Sequence, residues 1–343
     1  MSNLEKEVTW LIRELESSQW KHRYDSESLK HLPIVTREEL RKVGMKKLFY
    51  ETKTSGSTGI PVTVQKTYAD YVWYLATNAR EILWRRWDTS KTLAVIKGRV
   101  KEEVIPNWGL PREIAPRQGK TYVNSIMKLS EIQSWLESIK PDYLVCLPSI
   151  ARMLDFSKIP SIVDWKGTGE LGGSMYSSEE CGTIAITCPD NPQVYHVMEN
   201  QVVEVQDDGG MVISTMTNPY IRRYKNGDHV ELGVCDCGRS LQTIKKIMGR
   251  VRNMFVLPDG DRRWPLIGSR EYFDKFGIRQ FKAVQRTIDQ VELQLVCEPL
   301  GDSEEQVKSL CRDWLEADVE VTIRYVGGFD DYKFEEFVSL VTR

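Results

Sequence analysis

Two groups of residues in this chain have types and spacings that could do chemistry. The first is the run Thr54, Ser55, Gly56, Ser57, Thr58, Gly59, Ile60, Pro61. Gly56 and Gly59 can adopt conformations closed to other residues, and their missing side chains let backbone N–H groups approach an anion. The hydroxyls of Thr54, Ser55, Ser57 and Thr58 add donors suited to phosphate oxygens. No Gly-Lys-Ser/Thr follows, so this is not a Walker A loop. A flexible Ser/Gly linker is the competing reading, and the abrupt Ile-Pro with strand-like Val62 and Val64 behind it weighs against that. The second group is Cys188, His196, Cys235 and Cys237, a Cys-x7-His … Cys-x-Cys set. Thiolate and imidazole donors of this kind suit tetrahedral Zn²⁺ in a structural role, since four protein ligands leave no open position. The spacing is not that of a common zinc finger, and four unrelated residues remain the alternative.

The elements that must position these groups can be read from hydrophobic pattern and caps. Leu4, Val8, Leu11 and Ile12 mark a first helix, and Thr36 with Glu39 forms a capping box for a second after an extended Leu32–Val35. A strand with Val62 and Val64 follows the loop, then a long helix from about Tyr68 to Trp87. Leu93–Ile96 and Tyr143–Cys146 read as buried strands separated by a helix at Ser130–Ile139. Alternating helix and strand favours α/β layers with a largely parallel sheet. After Tyr195 short strands dominate (Gln201–Val205, Gly210–Ser214, His229–Leu232), which predicts a β-rich subdomain. Asn226-Gly227 is a strong turn signal. From about Gly249 the pattern is α+β: a strand at Val291–Cys297, a helix at Glu304–Glu316, a strand at Val319–Tyr325 and a final helix at Phe334–Val341. The expected domains are therefore 1–249 and 250–343.

Composition narrows the class. The chain has 343 residues, 41% hydrophobic and 28% charged, with a formal net charge of -2, so no overall basic bias points to nucleic acid. No apolar run approaches the length of a membrane span, and the charged start has no signal-peptide core. Seven cysteines at irregular spacing argue against a secreted disulfide framework, and a cytoplasmic location is expected.

The loop Thr54–Pro61 resembles the nucleotide-phosphate loop of the adenylate-forming superfamily, which includes acyl-CoA synthetases and adenylation domains. The nearest resemblance is to the phenylacetate–CoA ligase and CapK-like branch, in a shortened form. Further segments fit in the family's order: Lys140-Pro141-Asp142-Tyr143 with Leu147-Pro148-Ser149, Gly169-Glu170, Tyr176-Ser177-Ser178-Glu179-Glu180, Arg223-Tyr224-Lys225-Asn226-Gly227-Asp228, Cys235-Asp236-Cys237-Gly238-Arg239, Gly249-Arg250, and Asp331-Tyr332-Lys333-Phe334. The resemblance runs from about Leu32 to the C-terminus.

What the resemblance implies is a large adenylate-forming domain with mainly parallel sheets, a small α+β lid domain, and ATP-dependent activation of a carboxylic acid to an acyl-adenylate. Thr54–Gly59 would hold the departing phosphates, Glu180 would hold Mg²⁺, and Asp228 would accept hydrogen bonds from the ribose. Gly169, Glu170 and Tyr176 would lie by the nucleotide, and Arg250 near the ribose or phosphate at the junction. Lys333 would bring an ammonium to the α-phosphate. The family's Cys, His and Cys-x-Cys at matching places support zinc. CoA, a carrier protein or an amine would accept the acyl group, and a homodimer is kept as one option. Trp73, Trp84 and Trp87 recur at helical spacing; such a stripe is more often core, but in a pocket it would favour an aromatic acid. The sequence departs from the family where Ser177 replaces a Gly, where the stretch from Glu170 to Tyr176 is short, where Asn253 replaces the hinge Asp, and where Tyr332 replaces a Gly. The last two put thioester formation in doubt. A non-catalytic, nucleotide-binding relative serving as a partner subunit is the alternative.

Overall fold

The computed structural model describes residues 3–17, 27–53, 62–96, 102–124, 129–167, 173–250, 255–258, 262–263, 275–315, 317–329 and 337–341. They form two compact units, Met1–Ile247 and Met248–Arg343.

In the first unit α1 (Asn3–Ser17) buries Val8, Leu11 and Ile12, the spacing of one helical face. Helix α2 (Arg37–Lys42) starts at Thr36, whose side chain and backbone exchange hydrogen bonds with Glu39 as the capping box requires. Strands β1 (Tyr50–Lys53) and β2 (Thr63–Lys66) pair antiparallel, so the glycine-rich run lies between two hydrogen-bonded strands. Helix α3 (Tyr68–Trp84) follows, capped by Thr67 and Asp70. It ends three residues earlier than its tryptophan pattern predicts, because Arg86 takes a left-handed conformation (φ 56°) and turns the chain out.

A five-stranded sheet comes next, from β3 (Leu93–Ile96), β4 (Glu103–Ile105), β5 (Thr121–Asn124), β6 (Tyr143–Cys146) and β7 (Asp164–Gly167), in the order β4-β5-β3-β6-β7. All its neighbours are parallel except β4. Helix α4 (Leu129–Ile139) buries Ile132 and Leu136 against Leu144 and Cys146, and α5 (Pro148–Met153) begins with proline at its first turn.

A seven-stranded sheet completes the unit: β8 (Met175–Ser178), β9 (Gly182–Thr187), β10 (Tyr195–Val197), β11 (Gln201–Val205), β12 (Gly210–Thr215), β13 (Tyr224–Gly233) and β14 (Thr243–Arg250), in the order β11-β12-β13-β14-β10-β9-β8. Its pairings β8–β9, β9–β10, β10–β14, β11–β12 and β12–β13 are antiparallel. The expectation of mainly parallel sheets thus holds for the five-stranded sheet and is corrected for the larger one, and the β-rich stretch begins at β8 rather than after Tyr195. Its hydrophobic side carries Tyr176, Ile184, Val203, Ile213, Tyr224 and Ile244, covered by Leu40, Val62 and Val64. Helix α3 is fixed to this unit by Arg80 and Glu199, which are 0% and 1% exposed and bond through two contacts of 2.8 and 2.9 Å. Removing one partner of such a pair costs about 3–5 kcal/mol, because the other charge stays buried.

The second unit has the short pair β15 (Phe255–Val256) and β16 (Arg262–Arg263), and a four-stranded sheet from β17 (Gln280–Thr287), β18 (Gln290–Val296), β19 (Glu320–Tyr325) and β20 (Phe337–Ser339), in the order β19-β18-β17-β20. Helix α6 (Glu304–Leu315) buries Val307, Cys311 and Leu315, four residues apart, in the core of this unit. The predicted final helix is corrected: Phe337, Val338 and Ser339 pair parallel with Ala283, Val284 and Gln285, and Phe337 packs against Phe255 and Phe281. An aromatic and β-branched run bonded to an open sheet edge outweighs local helix pattern.

No helix among the described residues is long and apolar enough to cross a membrane.

Candidate functional site

Tyr176, Glu180 and Asp228 are brought into one region by the seven-stranded sheet. Tyr176 lies on β8, Glu180 in the turn joining β8 to β9, and Asp228 on β13. In β13 the ladder shifts register between Val212 and Gly210, so Asn226-Gly227-Asp228 is a bulge, with Gly227 at φ 87°, and not the predicted turn. A bulge re-aims side chains within a strand. Asp228 Oδ2 accepts from the Tyr176 hydroxyl at 2.6 Å and from Asn226 Nδ2 at 2.9 Å, and Asn226 Nδ2 also reaches the Tyr176 oxygen at 3.2 Å. Burial, then the Asp228 charge, holds the Tyr176 phenol well above its ordinary range, so it stays a donor.

Glu180 is 3% exposed. Its Oε1 accepts from Tyr224 OH at 3.1 Å and pairs with Arg37 Nη1 at 3.3 Å. The backbone of the same turn carries the hairpin β1–β2: Thr52 Oγ1 donates to the Glu179 carbonyl at 3.1 Å, and Lys66 Nζ to the Glu180 carbonyl at 2.7 Å. The strands that bracket the glycine-rich run therefore rest on the turn that bears Glu180. Lys66 is 3% exposed, and burial lowers its ammonium's pKa. Arg223, next in the same motif, bonds Glu204 and the carbonyl of Leu32, which ties the extended segment before α2 to the sheet.

Gly167 ends β7 at the carboxyl edge of the parallel strands, where open α/β sheets hold ligands. A Cβ on Gly173 would meet the Gly167 carbonyl oxygen at 2.5 Å, so only glycine fits there. Beside it Lys166 Nζ bonds Glu81 Oε2 at 2.7 Å, and Ser174 donates to the other carboxylate oxygen. Gly169 and Glu170 themselves lie outside the described residues. So do Thr54, Ser55, Gly56, Ser57, Thr58, Gly59, Asn253, Tyr332 and Lys333, and of Arg250 only the backbone, at the end of β14, is described.

The four metal-ligand candidates converge elsewhere on the same sheet. Cys188 follows β9, His196 is on β10, and Cys235 and Cys237 are in the loop between β13 and β14. Their ligand atoms all lie within 4.8 Å of one another. The Cys188 and Cys235 sulfurs are 3.7 Å apart, close to the edge of about 3.8 Å that a tetrahedron with Zn–S of about 2.3 Å requires. Cys237 Sγ is 3.2 Å from His196 Nε2. Burial, aided by Arg239 and Arg80, lowers the His196 pKa to about 4, so its ring is neutral at pH 7, the form that ligates metal. Burial raises the Cys235 thiol to about 11, while hydrogen bonds from Arg239 and the neighbouring thiols outweigh burial at Cys237 and lower it. Arg239 Nη1 lies 3.9 Å from Cys188 Sγ, pairs with Asp190, and stacks over Trp84 at 5.1 Å. Arg80 lies 5.2 Å from the Trp84 ring centroid, and the His196 ring meets Trp84 edge-on.

Two tryptophans of the stripe are core: Trp84 packs over the cysteine–histidine cluster and Trp87 stacks on Tyr143 at 4.5 Å, while Trp73 is half-buried against α1. Sequence reasoning missed Arg37, Lys66, Tyr224, Asn226 and Arg239 as partners of the site. Tyr224, Asn226 and Arg239 sit inside motifs already singled out; for Arg37 and Lys66 no sequence signal exists.

No protein-family model and no curated protein matches the chain. Solved structures do. A 2-hydroxyisobutyryl-CoA ligase in the postadenylation state with 2-HIB-AMP superposes with a TM-score of 0.70 at 14% identity, over 99% of this chain and 89% of that one. The anthranilate CoA ligase AuaEII with anthranoyl-AMP gives 0.58 at 14%, over 81% and 62%. The ATP-bound RpMatB-BxBclM chimera B1 gives 0.52 at 13%, over 84% and 66%. This chain thus has the fold seen in adenylate-forming acyl- and aryl-CoA ligases.

Proposed function

We propose that the protein activates a carboxylic acid with ATP, forming an acyl-adenylate, and belongs with the adenylate-forming ligases in the phenylacetate–CoA ligase and CapK-like branch. The observation that carries this reading is that Tyr176 and Asp228, 52 residues apart, share a hydrogen bond on the sheet whose β8–β9 turn bears Glu180 and holds the strand pair β1–β2, in a ligase fold.

Adenylation is attack of a carboxylate oxygen on the α-phosphorus with pyrophosphate leaving. It calls for positioning and charge neutralisation and needs no general base. Thr54–Gly59 would hold the departing phosphates. Asp228, oriented by Tyr176 and Asn226, would accept from the ribose hydroxyls. Gly169 and Glu170 would lie near the adenine, and Arg250 would meet the ribose or phosphate. Glu180 fits Mg²⁺: it is a hard carboxylate beside the phosphate hairpin, and a cation already pairs with it. Bound Mg²⁺ supplies charge neutralisation on phosphate oxygens. The unit Met248–Arg343 would act as a lid that excludes water and delivers Lys333 to the α-phosphate. Cys188, His196, Cys235 and Cys237 would hold one zinc, whose net -1 charge with three thiolates is offset by Arg239. That zinc would tie the β13–β14 loop to β9 and β10. CoA, a carrier protein or an amine would receive the acyl group, in a biosynthetic role.

One observation favours the second reading, a non-catalytic nucleotide-binding relative: the Glu180 carboxylate is already neutralised by Arg37. A panel of carboxylic acids with ATP and Mg²⁺, read by pyrophosphate release, separates the two. At least one acid should stimulate release; ATP binding with no acid-dependent release would favour the second reading.

A further inference from the structure

Glu180 cannot be buried alone. A lone carboxylate at this exposure is unfavourable without a partner charge, and Arg37 is the cation whose guanidinium reaches it. Its neighbours around Oε1 differ in how fixed they are. Tyr224 is 0% exposed and sits in the sheet core, so its hydroxyl cannot withdraw. The Arg37 side chain is 20% exposed and lies in the first turn of the six-residue α2. Its contact at 3.3 Å is also a long one for a charge-assisted hydrogen bond. Lys66 meets the turn at the Glu180 carbonyl and not at the carboxylate, so it remains in place whichever cation the carboxylate holds.

We propose that Arg37 is the removable counter-ion of Glu180: it neutralises the carboxylate in the nucleotide-free protein, and a divalent cation competes with it for the same oxygens. This rests on the reading of Glu180 as the Mg²⁺ ligand. It follows that the guanidinium must leave Oε1 when the cation arrives, since two positive groups on one carboxylate oxygen repel. The planar fork of a guanidinium suits a phosphate oxygen pair. Arg37 would thus set how much divalent cation the protein needs, and keep Glu180 paired between turnovers. This removes the conflict between a neutralised Glu180 and a metal-dependent role.

The test uses Mn²⁺ alone as probe, followed by the electron paramagnetic resonance of the free ion, in the full chain. Arg37→Gln should bind Mn²⁺ about five-fold or more tighter than the parent, as loss of one partly exposed unit charge implies, and adding Glu180→Gln should abolish the gain. Arg37→Lys, which keeps the charge, should stay near the parent value. In the unaltered protein, phenylglyoxal modification of Arg37, read by mass spectrometry, should rise when Mn²⁺ is added; this arm stands even where Arg37→Gln does not fold. Unchanged Mn²⁺ affinity in folded Arg37→Gln, or unchanged Arg37 reactivity, overturns the proposal. A parent that fails to bind ATP with Mg²⁺ while Arg37→Gln still gains Mn²⁺ affinity faults the nucleotide reading and leaves the competition standing.

Discussion

The two polar clusters on the seven-stranded sheet are satisfied in opposite ways. Around Tyr176, Glu180 and Asp228 each group has a protein partner: a phenol and an amide on Asp228, a phenol and a guanidinium on Glu180. Around Cys188, His196, Cys235 and Cys237 the ligand atoms mostly face one another, and weak thiol contacts do little to stabilise buried polar groups. A site closed by its own side chains can release and take a ligand without losing the fold. A site whose donors all lie within 4.8 Å of one another is stable when an ion fills it. The first pattern fits a turnover site and the second a permanent crosslink.

The strongest way to break this contrast is at the cluster. Cys235→Ser with Cys237→Ser should remove a stoichiometric zinc and destabilise the first unit by about 4 kcal/mol or more, the scale on which loss of a metal acts; metal analysis and thermal melting check it, and zinc-free parent protein would refute it. Next in size, Lys333→Ala should cut adenylation by roughly 100-fold while ATP affinity holds, because a group added on lid closure acts in the transition state. The lid reading fails if that variant adenylates at the parent rate. At the bulge, Asp228→Ala should weaken ATP binding by about 10–100-fold, the cost of losing one or two charge-assisted bonds, with little change in melting temperature. Tyr176→Phe should cost less, since Asn226 still orients the carboxylate. A large stability loss in Asp228→Ala would place Asp228 with Tyr176 and Asn226 among structural networks instead.

The smallest effect is in pH. His196 has an ordinary value of 6.5 and a folded value of about 4. Below 6.5 the unfolded chain binds a proton that the folded chain refuses, so this group's stabilisation is complete above pH 6.5 and is lost as pH falls towards 4. Metal-free protein should lose about 2 kcal/mol over that window after allowing for solvent screening, and His196→Gln should flatten the slope.

The sequence made local features legible where one residue's neighbours decide its state. The buried strands at Leu93–Ile96 and Tyr143–Cys146 fall at those residues, and the Thr36–Glu39 cap forms as its spacing demands. The Cys–His set is also drawn together, on β10 and on the loops that follow β9 and β13. What stayed hidden depends on partners far along the chain. Arg37 meets Glu180 across 143 residues, and Lys66 meets its carbonyl across 114. Neither has a pattern that marks it. Asn226-Gly227 reads as a turn locally and becomes a bulge only because β12 continues past it. Phe337–Ser339 has three residues, too few to show a period, and is a strand because β17 offers an edge.

Glu180 is where the two readings of the chain divide, so the most direct test measures acid-dependent pyrophosphate release by the parent and by Glu180→Gln, both checked for native melting. The parent should release pyrophosphate with at least one carboxylic acid, and Glu180→Gln should lose about 100-fold or more of that rate, as removal of a metal-holding carboxylate implies. Equal rates in the two proteins, or no release by the parent with any acid, would contradict the account.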